Sequence, residues 1–221
     1  MLKYVLFVVI SSLLFVTGES VTLASTSAID DSNSTKESLS LIRKISGDKG
    51  FKINFEQKSF YSFTKKPRVL KGTLLFSPEK SFVWEIKGDS STKIVSNGKK
   101  TWIYTPAEEE GDKPSLMIRN ATDYEGPEAV LFDTKYKTSN LINGLQGFKV
   151  LNVKGTKKTN YKWLKLRLKE QSGLFNIESI EFEDLNGTRV FIGVKKFNRL
   201  DKTVPAKTFE FKAPKGTRII E

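Results

Sequence analysis

The sequence predicts a mainly β protein: an all-antiparallel sheet, curved or partly closed, packed on one side and wet on the other. Three observations lead there. Leu164, Leu166 and Leu168 alternate with Lys165, Arg167 and Lys169, the period-two pattern of a half-buried strand. Phe82, Trp84 and Ile86 alternate with Val83 and Glu85, which gathers large apolar side chains on one face. Asn97-Gly98 and Asn186-Gly187 separate such runs. The first is read as a type I′ turn because both of its residues tolerate positive φ.

Taken in order, the chain opens with Met1-Leu2-Lys3 and then an apolar run, Tyr4 to Val16, broken only by Ser11 and Ser12. A run this short suits a secretory signal better than a membrane span, which needs about 20 apolar residues. Thr22-Leu23-Ala24 supplies a small-x-small cleavage site and Thr26-Ser27-Ala28 a second; with the first, residues 1–24 are expected to be a signal peptide. Residues 25–35 are Ser, Thr, Asn and Asp with little else, the composition of a flexible leader. Residues 36–221 are then one domain, long enough to bury a core unaided.

Within that domain Leu39, Ile42 and Ile45 fall at helical spacing before Gly47. Phe51 to Gln57 alternates as a first strand, and Val69 to Phe76 as a second. Phe82 to Ile86, Thr92 to Asn97, Thr101 to Tyr104 and Ser115 to Arg119 continue the series. Between Asp123 and Leu145 the alternation stops. Val130, Leu131, Phe132 and then Leu141, Ile142, Leu145 read as two short helices with an apolar side. Such helices must lie on something, and the aromatic face of the sheet is the surface on offer. Strands return at Phe148 to Val153, Lys162 to Lys169, Ile177 to Asp184 and Thr188 to Phe197, with Phe209-Glu210-Phe211 closing the series.

Composition narrows the chemistry. The 221 residues contain no cysteine and no histidine. That removes disulfides, thiolate metal sites, the usual general base and the usual pH switch. No glycine-rich phosphate loop and no calcium-loop spacing is present, so neither cofactor nor metal is expected, and the composition argues against an enzyme. Glu108-Glu109-Glu110 has no apolar neighbour in sequence that would raise a carboxyl pKa, and reads as a solvated loop rather than paired catalytic acids. The formal charge is +12, but the lysines are scattered along strands and loops without the clustered arginines of a nucleic-acid reader. Nucleic acid is therefore not an expected partner.

The order of features is similar to that of the periplasmic outer-membrane lipoprotein carrier (LolA) family. The residues that carry the resemblance are Phe51 to Gln57, Gly72-Thr73-Leu74 leading to Phe82-Val83-Trp84, and Val95-Ser96-Asn97-Gly98-Lys99 leading to Trp102-Ile103-Tyr104-Thr105-Pro106. Phe209-Glu210-Phe211-Lys212-Ala213-Pro214-Lys215-Gly216 completes the set. The resemblance implies an unclosed antiparallel β-barrel, a half-barrel, with short α-helices forming a lid over a hydrophobic cavity.

It also implies a monomeric periplasmic chaperone that binds the acyl chains of lipoproteins and carries them from the inner to the outer membrane. The implied partners are an inner-membrane lipoprotein-releasing transporter and, where present, an outer-membrane lipoprotein receptor. The cavity would be lined by Phe55, Leu74, Phe76, Phe82, Trp84, Ile86, Trp102, Tyr104, Leu164, Leu166, Leu168 and Phe182. The lid would carry Val130, Leu131, Phe132, Leu141, Ile142 and Leu145. One departure stands out. The family often has an arginine before its Phe-x-Trp strand, thought to latch the lid, and Pro78 takes that place here, with Lys80 the nearest cation. Two rival readings remain: a carrier of phospholipid or glycolipid on a similar fold, and a non-catalytic interaction module whose aromatic face is ordinary core. The receptor that resembles this fold is a lipoprotein, and the absence of cysteine argues against that role.

Overall fold

Twelve strands form one sheet, in the order β12-β6-β5-β4-β3-β2-β1-β11-β10-β9-β8-β7. The structure is a computed structural model. It describes residues 43–88, 91–107, 109, 111–124, 139–143, 148–154 and 161–220, with the backbone alone for 139–143 and 148–154. All of them belong to one compact unit, Asp31–Glu221.

The first meander is β1 (Phe51–Phe60), β2 (Arg68–Ser77), β3 (Ser81–Lys87), β4 (Thr92–Asn97), β5 (Lys100–Thr105) and β6 (Ser115–Asn120). The second is β7 (Ser139–Asn143), β8 (Phe148–Lys154), β9 (Tyr161–Gln171), β10 (Leu174–Asp184) and β11 (Arg189–Arg199). Antiparallel pairing of β1 with β11, from Phe51↔Arg199 to Phe60↔Arg189, joins the two meanders. The sheet is not closed: β7 stands at one end of the order and β12 (Arg218–Ile220) at the other. β6 lies next to one edge of the order and β7 at the opposite edge.

The alternating burial of β1, with Phe51, Ile53 and Phe55 inward and Lys52 and Asn54 outward, follows directly from the period of two. Cross-strand register then aligns inward residues into rows. Ile53 faces Leu74, Leu74 faces Trp84, Trp84 faces Ile94, Ile94 faces Ile103, and Ile103 faces Met117. On the other side Gln57 faces Ile192, Ile192 faces Ile180, and Ile180 faces Leu166. A bulge between Asn54 and Phe55 re-aims the strand at the junction of the two meanders.

Four sequence expectations need correction. Ser139–Asn143 is a strand paired with β8, with Leu141 opposite Leu151 and Ile142 opposite Val150, so Leu141 and Ile142 do not sit on a helix. Two adjacent apolar residues do not distinguish the two states by periodicity, and pairing with the neighbouring strand decided it. Phe209-Glu210-Phe211 is not a strand. It follows a 3-10 turn, Ala206–Phe209, and its rings pack down onto the sheet.

The third correction concerns sheet direction. The last strand, β12, pairs parallel to β6, so the sheet is not wholly antiparallel. The fourth concerns the turn at Asn97-Gly98, which is not type I′. Gly98 alone of the pair has positive φ, at 79°. Asn97 acts through its side chain, whose Oδ1 accepts hydrogen bonds from the backbone N–H of Lys99 at 3.0 Å and of Lys100 at 2.9 Å.

Residues 43–46 form a helical turn. Gly47 ends it with φ 64° and donates its N–H to the Arg43 carbonyl at 2.8 Å. Ile45 from this turn is buried in the main core.

Candidate functional site

The inner face of the open sheet carries the larger apolar cluster. It includes Phe51, Ile53, Phe55, Leu74, Phe76, Phe82 and Trp84 from β1–β3, and Leu164, Leu166, Leu168, Ile177, Ile180, Val190 and Ile192 from β9–β11. Ile86, Ile94, Tyr124, Phe182, Val194 and Phe197 pack against it and stay partly exposed. Rings are arranged in contacting pairs: Phe55 with Trp84 at 4.5 Å between centroids, and Phe51 with Phe76 at 4.9 Å and Phe197 at 5.1 Å. Gly72 makes room for the first pair, since a Cβ there would overlap the Phe55 ring.

Ten of the twelve expected cavity residues meet on this face: Phe55, Leu74, Phe76, Phe82, Trp84, Ile86, Leu164, Leu166, Leu168 and Phe182. Trp102 and Tyr104 do not. Trp102 lies opposite Val95, whose neighbours across β3 and β2 are Val83 and Leu75. These residues belong to a second cluster on the outer face, closed by Val204, Phe209 and Phe211 of the C-terminal segment. Tyr104 shares that face, 5.2 Å from the Phe211 ring. The physical reason is the register of β4: Ile94 meets Trp84, so Ile103 continues the inner row and its two neighbours point away. The outer face is therefore covered, not wet, over β3–β5.

Sequence reasoning missed Ile53, Ile94, Ile177, Ile180 and Ile192 as members of the inner face. Their alternation was legible, but which apolar face they joined depended on strand register. Val130, Leu131, Phe132 and Leu145 of the expected lid lie outside the described residues. The residue that leads into that segment, Tyr124, sits on the inner face with its ring 6.0 Å from that of Phe82. Pro78 and Lys80 lie in the β2–β3 turn, where Lys80 takes φ 61° and is exposed.

Several charged groups pair with one another at outward strand positions. Lys93 reaches Glu85 at 2.7 Å, and Glu56 lies 3.6 Å from Lys58 and 3.8 Å from Lys195. Glu183 accepts hydrogen bonds from Lys162 at 2.9 Å and Arg189 at 3.1 Å, which hold its carboxyl below the usual range. A depression of about 410 Å³ is lined by Glu56, Lys71, Lys87 and Lys195 together with Phe55 and Gly72, so it borders the apolar face at the β1–β2 pair. Among the described residues no group of three or more carboxylates could hold a metal ion, and no helix is long and apolar enough to cross a membrane. Glu109 is exposed; Glu108 and Glu110 lie outside the described residues. What the inner cluster offers is apolar area in which, among the described residues, Tyr124 and Tyr161 are the titratable members and no carboxylate takes part, a surface suited to binding hydrocarbon rather than to chemistry.

A half-open sheet with one continuous apolar face is the architecture of a lipid-binding carrier fold. Residues 46–212 match the family described as outer membrane lipoprotein carrier protein LolA, and the chain belongs to that family. It is 26% identical over 190 residues to the outer-membrane lipoprotein carrier protein of Francisella tularensis strain SCHU S4, covering 82% of this chain and 86% of that one. To the protein of the same name from Francisella philomiragia it is 25% identical over 189 residues, with the same coverage.

Among solved structures it is similar to a LolA superfamily protein from Nitrosomonas europaea, with a TM-score of 0.50, 13% identity, and 80% and 97% of the two chains covered. An uncharacterized conserved protein from Thermus thermophilus gives a TM-score of 0.51 at 14% identity, covering 85% and 98%. At such identities these structures speak for the fold alone.

Proposed function

We propose that the chain is a non-catalytic periplasmic carrier that takes the acyl chains of lipoproteins onto the inner face of its sheet and moves them from the inner to the outer membrane. The observation that carries this reading is the single face shared by Phe55, Trp84, Ile86, Leu164 and Phe182, with Tyr124 packed against the same cluster. Residues 1–24 direct export and are removed, and residues 25–35 form a leader. An inner-membrane transporter loads the carrier, and an outer-membrane receptor, where present, unloads it.

Free energy constrains the mechanism. Burying acyl chain is worth about 0.8 kcal/mol per methylene. Three full chains would exceed the limit of roughly 20 kcal/mol seen for non-covalent binding. A face already covered by its own apolar side chains gains only the difference between two coverings, and so can release its load. Val130, Leu131, Phe132 and Leu145 provide that covering in this reading; Leu141 and Ile142 lie on the edge strand β7, where neighbouring residues face opposite sides, so only one of the two can join it.

Native mass spectrometry of the exported protein, purified gently from its own envelope, tests the proposal. A retained lipoprotein mass supports it. Retained phospholipid or glycolipid alone moves the substrate class. A bare protein that also takes up no fluorescent acyl probe makes the inner face ordinary core and refutes the carrier reading.

A further inference from the structure

One end of the sheet concentrates exposed apolar side chains. Phe63 is 83% exposed, Leu185 59%, Val69 49%, Phe60 46% and Phe191 38%. Of the large apolar residues exposed among the described ones, only Ile118 and Ile219 lie elsewhere, on β6 and β12. Register explains the clustering. Phe60, at the end of β1, faces Arg189 at the start of β11, so the β1–β2 tip and the β10–β11 turn stand side by side. Lys58 faces Phe191 on one side and Val69 on the other, which makes a short apolar row flanked by a cation. In the tip, Tyr61 and Phe63 pair at 5.4 Å between ring centroids.

The same end is cationic. Between Glu56 and Glu79 the chain has no acidic residue, while Lys58, Lys65, Lys66, Arg68 and Lys71 fall in that interval. Lys65, Lys66 and Arg68 are exposed on the tip itself. Of the nearby acids, Glu183 pairs with Lys162 and Arg189, Glu56 with Lys58 and Lys195, and Asp184 accepts from the backbone N–H of Thr188 at 2.8 Å, while Glu181 stands opposite Phe191 and Lys165.

We propose that this end of the molecule, the tip of the β1–β2 hairpin with Leu185 and Phe191 beside it, docks on anionic lipid bilayers. Aromatic rings flanked by lysines match the membrane interface, where rings lie at headgroup depth and cations meet phosphate. Each lysine or arginine near an anionic surface adds to the attraction, and no single group need bind tightly. Charge complementarity selects this partner over a second copy of the chain, because two such tips facing each other would repel. A reversible encounter of this kind would bring a carrier to its bilayers without holding it there. The proposal goes beyond lipoprotein carriage and does not depend on it, since the patch lies on hairpin tips and the outer face rather than on the inner one.

The test is co-flotation of the exported chain, at low ionic strength, with vesicles of phosphatidylcholine and with vesicles of phosphatidylcholine and phosphatidylglycerol in equal parts. Binding is expected to the anionic vesicles only, and to fall with added salt. Phe63→Ser and, separately, the Lys65→Glu/Lys66→Glu double variant should each weaken it about tenfold or more, with thermal unfolding and acyl-probe uptake unchanged. Failure of probe uptake in every form would count against the carrier reading while leaving this one standing. Absence of binding to anionic vesicles, equal binding to neutral ones, or wild-type binding by both variants would each overturn the proposal. So would a concentration-dependent dimer abolished by Phe63→Ser, which would assign the patch to self-association.

Discussion

The ring of Phe55 lies across Gly72 on the next strand, where any side chain would have to stand. The two are direct cross-strand neighbours, and a Cβ on Gly72 would overlap both the Phe55 ring and the carbonyl oxygen of Glu85. The ring covers the glycine and in return rests against Trp84 at 4.5 Å. Gly72→Ala should therefore cost about 3 kcal/mol, the upper part of the range for overpacking, because one of the two obstacles is backbone and cannot rotate away. Urea unfolding measures it. Phe55→Leu in the same chain should recover part of the loss, since the ring clash goes and the carbonyl clash stays.

Arg199 ties β11 to β10 at the Phe51 end of β1. Its Nη1 donates to Asn176 Oδ1 at 2.7 Å, its Nη2 donates to the Phe175 carbonyl at 2.8 Å, and its guanidinium lies 5.2 Å from the Phe197 ring. Burial lowers its pKa, the mark of a desolvation cost that these bonds must offset. Removing the cation while leaving its acceptors should destabilise the fold. Arg199→Met is expected to lose about 2 kcal/mol in urea unfolding, the worth of hydrogen bonds to a charged group. Arg199→Lys should do little better, because an ammonium cannot reach both acceptors in one plane.

Glu183 gives a pH dependence with a definite sign. Lys162 and Arg189 lower its folded pKa below the value of a free glutamate. A depressed carboxyl pKa adds stability that is complete above the unfolded value, near 4.3, and is lost as pH falls through the folded one. Glu183→Gln should therefore be slightly less stable than the parent at pH 7 and equal to it in strong acid. Because the pair partners are largely exposed, the gap should be small and should narrow further in salt. Denaturation midpoints of both proteins across the acid range read it directly.

How much of this was legible follows from which forces act locally. Strands β1–β6 and β9–β11 were readable because one buried face imposes a period of two on the sequence. The face that Trp102 takes was not. It depends on the connection between β3 and β4, which puts Ile94 rather than Val95 opposite Trp84. Phe209-Glu210-Phe211 alternates like a strand, yet its phenylalanines are claimed by the outer patch around Val83, Val95 and Tyr104. Leu141 and Ile142 are too few to carry a period, so the partner strand β8 settled their state. In each case a contact distant in sequence outweighed the local pattern.

The division of the sheet into two apolar faces yields the sharpest functional prediction. Ile86 and Phe182 are partly exposed members of the inner cluster, whereas Trp102 and Tyr104 pack under Phe211 on the outer one. A photoreactive phenylalanine analogue placed singly at each position should separate them in cells. If acyl chains lie on the inner face, Ile86 and Phe182 positions give adducts with lipoproteins, and Trp102 and Tyr104 positions give few or none. Phe182→Ser should in parallel weaken acyl-probe uptake about tenfold, since a partly buried ring contributes on the order of 1.5 kcal/mol of apolar contact. Equal labelling from both faces would mean that the C-terminal segment lifts off the outer patch, and that the second cluster is a binding surface too. Labelling from Trp102 alone would place the acyl chains on the outer face and reverse the assignment of the two sides of the sheet.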